Sequence, residues 1–368
     1  MSPDNKKRVV IKIGSSSLTS SHGEISRRKL ERLVDQVVDL KDSGHEVLLV
    51  SSGAVAAGYR KLGCLERPSS LPEKQAAASI GQGLLMEAYS ELFLSHGYVA
   101  SQILITRDDF SDENRYNNAR NTINVLLERG IVPIVNENDT VTINRLKFGD
   151  NDTLSAKVAG LVDSDLLIIL SDIDGLYSAD PRQDPNAKLV PHVGEITQEI
   201  EESAGDSGSS VGTGGMRSKI DAFKIAMASG IPAFLGRAGV PNILTQAVDG
   251  DATGTYFESE DDSANLNQKK QWIAFNSGPE GEIVVEDAAK RAIIEDKEPL
   301  LREHVKYIKG HFSERAVVRI LDKDENELAL GVTNYSSDEL ALNEPIDQPI
   351  VDSEGLVCHL EIPVPVGL

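Results

Sequence analysis

The stretch RVVIKIGSSSLTSSHGEISRRKLERLVDQVVDLKDSGHEVLLVSSG, residues 8–53, places a helical pattern between two short apolar runs. Val9 to Ile13 reads as a strand that stops at Gly14. Leu30, Leu33, Val34, Val37 and Val38 then recur at helical spacing, and Gly44 closes the helix before a second strand at Val47 to Val50. Two apolar strands joined by a crossover helix define a parallel pair, because parallel neighbours cannot be connected by a tight turn.

The alternation continues outward. Apolar runs at Ile103 to Ile105, Ile131 to Val135, Leu166 to Leu170 and Ile231 to Leu235 read as further strands, with helical patterns over 73–95, 115–129, 153–162 and 217–229. This predicts an α/β sandwich with a mostly parallel central sheet. Near Glu258 to Lys270 (ESEDDSANLNQKK) apolar residues thin out and charge accumulates, the pattern of a domain junction. The remainder is β-rich, at Gly281 to Val285, Ala316 to Leu321 and Glu327 to Val332, around one short helix at Asp287 to Ile294.

Bulk properties narrow the function. At 368 residues two domains are the default. The net charge of −21 opposes broad contact with nucleic acid or anionic lipid, since polyanions bind through clustered cations. Residues 276–368 alone hold 9 Lys+Arg against 20 Asp+Glu. No apolar run approaches the roughly 18 residues of a membrane span, and the start (MSPDNKKRVVIKIG) lacks an apolar signal segment. Cys64 and Cys358 lie too far apart in sequence for a close-spaced metal or disulfide motif. A cytoplasmic location is expected.

The chain has no G-x-x-x-x-G-K-[ST] loop, no G-x-G-x-x-G after a strand, no H-E-x-x-H and no G-x-S-x-G. What it has are strand-end loops, the place where open α/β sheets bind ligands. At the first, Lys12-Ile13-Gly14-Ser15, a lysine and a glycine turn read either as a phosphate cradle or as a solvent lysine beside a bend. At the second, Ser51-Ser52-Gly53-Ala54 opens a helical run that serves as an anion site or a plain N-cap. Asn136-Glu137-Asn138-Asp139 and Gly149-Asp150-Asn151-Asp152 crowd seven amides and carboxylates into two loops. They suit metal, an ammonium group, or turns and caps. Ser171-Asp172 follows the strand Leu166 to Leu170. The most specific local signal is Gly212-Thr213-Gly214-Gly215-Met216-Arg217-Ser218-Lys219, where a glycine loop, a helix start and a cation coincide.

Taken in order, Lys12-x-Gly14, Ser52-Gly53-Ala54, Asn136 to Asp139, Gly149 to Asp152, Ser171-Asp172, Gly175-Leu176-Tyr177 with Asp180-Pro181-Arg182, and Gly212 to Met216 resemble the amino-acid kinase family. The resemblance covers about residues 8–258. It implies a catalytic domain over 1–260, and the tail over 273–368 is similar to a PUA domain. Within the family the motif set resembles the branch that phosphorylates the γ-carboxylate of L-glutamate to L-glutamyl 5-phosphate, the first step of proline biosynthesis. A sibling activity on aspartate or N-acetylglutamate is the alternative.

The resemblance implies that Lys12 and Lys219 neutralise the transferring phosphoryl group and that Asp172 holds those lysines. Ser52, Asn136, Asp139, Asp150 and Asn151 would bind glutamate. Lys12, Gly14, Ser171, Asp172, Thr213, Gly214, Gly215, Met216, Arg217, Ser218 and Lys219 would line the ATP site, and Asp152 would be a metal ligand for the Mg²⁺ that accompanies ATP. It further implies proline as feedback inhibitor, glutamyl-phosphate reductase downstream, and a homo-oligomer. The segment Leu300 to Val305 and the chain after Leu340 depart from the tail pattern. With the tail's acidity, they weigh against nucleic-acid binding.

Overall fold

The computed structural model describes residues 6–20, 24–142, 151–181, 183–203, 215–258, 266–294, 296–342 and 345–358. It divides into two compact units, one of residues 1–109 and 113–262, the other of 110–112 and 263–368.

In the first unit eight strands form one sheet: β1 (Arg8–Ile13), β2 (Glu46–Val50), β3 (Ala100–Ile105), β4 (Val132–Glu137), β5 (Leu166–Ser171), β6 (His192–Val193), β7 (Ala233–Arg237) and β8 (Thr255–Phe257). Their order is β3-β4-β2-β1-β5-β7-β8-β6. The described pairings are parallel apart from β7 with β8. The helices are α1 (Ser15–Leu18), α2 (Arg27–Asp42), α3 (Ala54–Gly58), α4 (Leu71–Ser95), α5 (Arg107–Ser111), α6 (Glu113–Glu128), α7 (Asn151–Leu161), α8 (Gln198–Ser203), α9 (Met216–Ala228) and α10 (Ile243–Asp249).

Strand β1 lies between β2 and β5, so both of its edges are paired. A strand covered on both faces must be apolar almost throughout, and Val9, Val10, Ile11 and Ile13 are buried to 2% exposure or less. Side chains alternate across the sheet. Val9, Ile11 and Ile13 join a core cluster with Leu33 and Val37 of α2, Leu85 of α4 and Leu244 of α10. Val10 and Lys12 therefore face the other side, where α7 packs on β1. This parity aims the one charged residue of the strand's interior at the start of α7.

The second unit contains α11 (Gln268–Gln271), a π-helical turn at Trp272–Asn276, β9 (Gly281–Val285), α12 (Asp287–Ile294), β10 (Val305–Lys309), β11 (Val317–Leu321), β12 (Glu327–Thr333), α13 (Ser337–Ala341) and β13 (Val351–Cys358). Its sheet runs β10-β9-β11-β12-β13, with β9 and β11 parallel and the other pairs antiparallel. Ile283, Val318, Ile320, Leu328 and Leu356 form its core. The atypical segment at Leu300 to Val305 leads into β10, an edge strand with no strong apolar pattern of its own.

Candidate active site

The C-terminal ends of β1, β2, β4 and β5 bring the first four loops to one edge of the sheet, while α9 supplies the fifth from above it. Lys12 sits next to last in β1 and is 6% exposed. Its ammonium lies 2.5 Å from Asp152 Oδ1. Lys219, in the first turn of α9 and equally buried, donates to Asp152 Oδ2 at 3.0 Å. Asp152 itself has no exposed surface, and Ser218 Oγ donates to the same Oδ2 at 3.3 Å.

A single buried carboxylate would prefer to be neutral, because desolvation penalises its charge. Burial does push the Asp152 pKa up, but Lys12 and Lys219 outweigh it and hold the group down to about 2. The trio therefore carries two positive charges and one negative. Its geometry is fixed by three elements, β1, α7 and α9.

Beside this trio, Asn151 opens α7 and its side-chain amide donates to Ser52 Oγ at 3.0 Å, to Asn136 Oδ1 at 2.9 Å and to the carbonyl of Ser51. Asn136 Oδ1 also accepts from the Glu137 N–H at 2.9 Å, and its amide donates to Gln82 Oε1 of α4 at 2.9 Å. These bonds lock the loop after β2 to the loop after β4. At Gly53 the backbone turns with φ of +97°, a left-handed conformation that a side chain resists, and α3 begins there. The result is a cavity of about 360 Å³ lined by Ser15, Ser52, Gly53, Glu137, Asp139 and Asn151. Arg67 and Lys74, from the connection into α4 and its first turn, also line it.

The structure thus gathers Lys12, Lys219, Ser52, Asn136, Asp139, Asn151 and Asp152 at one strand-end edge. Asp150, Thr213 and Gly214 lie outside the described residues. Gly215 caps α9, with Met216, Arg217 and Ser218 in its first turn. Gly14 follows β1 and caps α1. One sequence-based role is corrected. The described acid that holds both lysines is Asp152, not Asp172. Asp172 stands one residue beyond β5, is exposed, and accepts from Ser171 Oγ at 3.1 Å. Asp152, the expected metal ligand, has Lys12 at its Oδ1 and Lys219 at its Oδ2. Among the described residues no three His, Cys, Asp or Glu side chains group as a metal site.

Three contributors escaped the sequence reading. Arg237, last in β7, grips Asp174 through two contacts at 2.5 and 3.1 Å and so braces the turn after β5. Lys157, two turns along α7 from the site, is buried, and desolvation followed by repulsion from Arg107 pulls its pKa down to about 7. Lys74 gave no signal beyond being a lysine near a helix start.

Two buried cations, one at the end of a parallel strand and one at the start of a helix, held by one carboxylate beside a polar cavity, make a phosphoryl-transfer site, and the chain belongs to the amino acid kinase family, whose model matches residues 7–237. Within that family it groups with the glutamate 5-kinases. It is 67% identical over 370 residues to Glutamate 5-kinase 2 of Bacillus licheniformis, covering 98% of this chain and 99% of that one. To Glutamate 5-kinase 2 of Bacillus subtilis it is 65% identical over 374 residues and the full length of both. Identity to the glutamate 5-kinase of Citrifermentans bemidjiense is 48% over 334 residues, 91% of this chain and 89% of the other. A PUA domain model matches residues 281–344. Carbamate kinase from Giardia lamblia bound to AMP-PNP shares the fold, with a TM-score of 0.51 at 16% identity over 69% of this chain and 99% of that one. No described helix is long and apolar enough to cross a membrane.

Proposed function

We propose that the protein transfers the γ-phosphoryl group of ATP to the γ-carboxylate of L-glutamate, forming L-glutamyl 5-phosphate as the first step of proline biosynthesis. The observation that carries the chemistry is the pair of buried lysines bracketing Asp152 at the mouth of β1.

A side-chain carboxyl with a pKa of about 4.3 is ionised at neutral pH. The nucleophile therefore needs no general base, and the catalytic task reduces to alignment and charge neutralisation. Lys12 and Lys219 approach from two sides of the reacting phosphoryl group. Both are desolvated, so their charge is screened little, and Asp152 sets their spacing before substrate arrives. Ser52, Asn136, Asp139 and Asn151 hold glutamate, with the carboxylate of Asp139 suited to its α-ammonium. Ser171, Asp172 and the start of α9 from Gly215 to Lys219 receive the nucleotide phosphates. Mg²⁺ would enter with the phosphates of ATP. No step is assigned to it.

The same reading extends to partners. Proline, which shares the ammonium and carboxylate of glutamate, is a fitting inhibitor at the same cavity. The acyl phosphate product is labile, which suits direct use by glutamyl-phosphate reductase. A homo-oligomer in the cytoplasm completes the proposal, the latter in keeping with free Cys64 and Cys358.

Replacing Lys12 or Lys219 by alanine tests the scheme. Each variant is expected to lose about 100- to 1,000-fold in kcat, the scale of one lost transition-state contact, with a glutamate KM within a few-fold of the parent. Normal turnover in both would overturn it.

A further inference from the structure

Glutamate brings three charges to its site: the γ-carboxylate that reacts, an α-ammonium, and an α-carboxylate. The first meets the lysine trio and the second has Asp139 and the amides around it. Ser52, Asn136, Asp139 and Asn151 offer no cation for the third. Burying a carboxylate without one is costly. The same cavity is lined by two further cations, Arg67 and Lys74.

Lys74 is the better placed. It lies half-buried in the first turn of α4, where the helix dipole also favours an anion. Arg67 is exposed and sits on the approach to that helix. Among the described residues neither cation is paired with a carboxylate, although many of the chain's cations are. The start of α4 is pinned beside the acidic loop, because Gln75 donates to the Thr142 carbonyl at 3.1 Å, and Thr142 in turn bonds back to Asn138 at 2.9 Å. Two carboxylates, Glu137 and Asp139, and two cations, Arg67 and Lys74, therefore line one cavity.

We infer that Lys74, assisted by Arg67 at the rim, binds the α-carboxylate of the amino-acid substrate, so that the cavity selects its substrate by a paired ammonium and carboxylate. This rests on the glutamate reading above and names a specificity residue within it. Acids that lack one of the two charges lose one partner, which explains how a phosphate machinery shared among related kinases can be confined to one amino acid.

The test uses the full-length enzyme with ATP, and two glutamate analogues as competitive inhibitors. Glutarate lacks the ammonium and 4-aminobutyrate lacks the α-carboxylate. In Lys74→Met the glutamate KM and the glutarate Ki are expected to rise at least tenfold, the 4-aminobutyrate Ki to stay within twofold, and kcat to stay within threefold. Lys74→Arg, which keeps a cation, is expected to restore most of the glutamate affinity. Parallel weakening of all three ligands, or none, would overturn the assignment, as would an arginine variant no better than the methionine one. Failure of the parent enzyme to turn over glutamate would instead sink the functional reading.

Discussion

Asp152 shows what a charge is worth when solvent is removed. With its carboxyl held at about 2 against roughly 4 in an unfolded chain, its contribution to stability is complete above pH 4 and is lost as pH falls through 2. The site is therefore insensitive to this group between pH 5 and 8. Asp152→Asn leaves two buried ammonium groups facing each other, and should cost about 3–5 kcal/mol of stability together with most of the turnover, read by denaturant titration and steady-state kinetics. Lys157 behaves oppositely. Its depressed pKa means that the unfolded chain binds the extra proton between pH 7 and about 10.5, so stability rises with pH across that window. Lys157→Met should flatten that rise, read as melting temperature across the window. Sequence exposed Lys12, Lys219 and the crowd of acids. It could not say which acid the lysines meet, because that depends on which face of β1 Lys12 occupies and where the first turn of α7 lands.

At the scale of elements, the substrate cavity depends on how closely α3 approaches α4. A methyl group on Gly58 would lie 1.9 Å from the Ala77 carbonyl oxygen, and one on Gly81 would lie 1.8 Å from that of Ala54. These are backbone atoms within the two helices and cannot step aside. Gly81→Ala should push the helices apart, lower the melting temperature by about 4 °C or more, and raise the glutamate KM, since α3 follows Ser52 and α4 carries Gln82 and Lys74. An unchanged KM in a folded variant would contradict this. The long parallel strands were legible because burial on both faces leaves uninterrupted apolar runs. The two-residue β6 and three-residue β8 were not, being shorter than any period can reveal. In the second unit β10 and β13 were missed for another reason. β10 is a half-exposed edge strand, and Asp352, Ser353 and Glu354 interrupt the apolar pattern of β13 with exposed residues.

For the whole molecule, the charge of −21 sets a repulsive background for every anionic ligand, and the buried lysines work against it. In the second unit β9, β11 and β12 carry the apolar pattern read from sequence, and the PUA match covers them. With 9 Lys+Arg against 20 Asp+Glu in residues 276–368, its net charge opposes a phosphate backbone. Titration with RNA at about 50 mM salt should show no binding, and a salt-sensitive micromolar complex would contradict that. The most direct measurement incubates the purified protein with ATP, Mg²⁺ and hydroxylamine, offering glutamate, aspartate or N-acetylglutamate, and records the hydroxamate formed from trapped acyl phosphate. Product with glutamate alone is the predicted result. Product with another acid in its place, or with none, would contradict it.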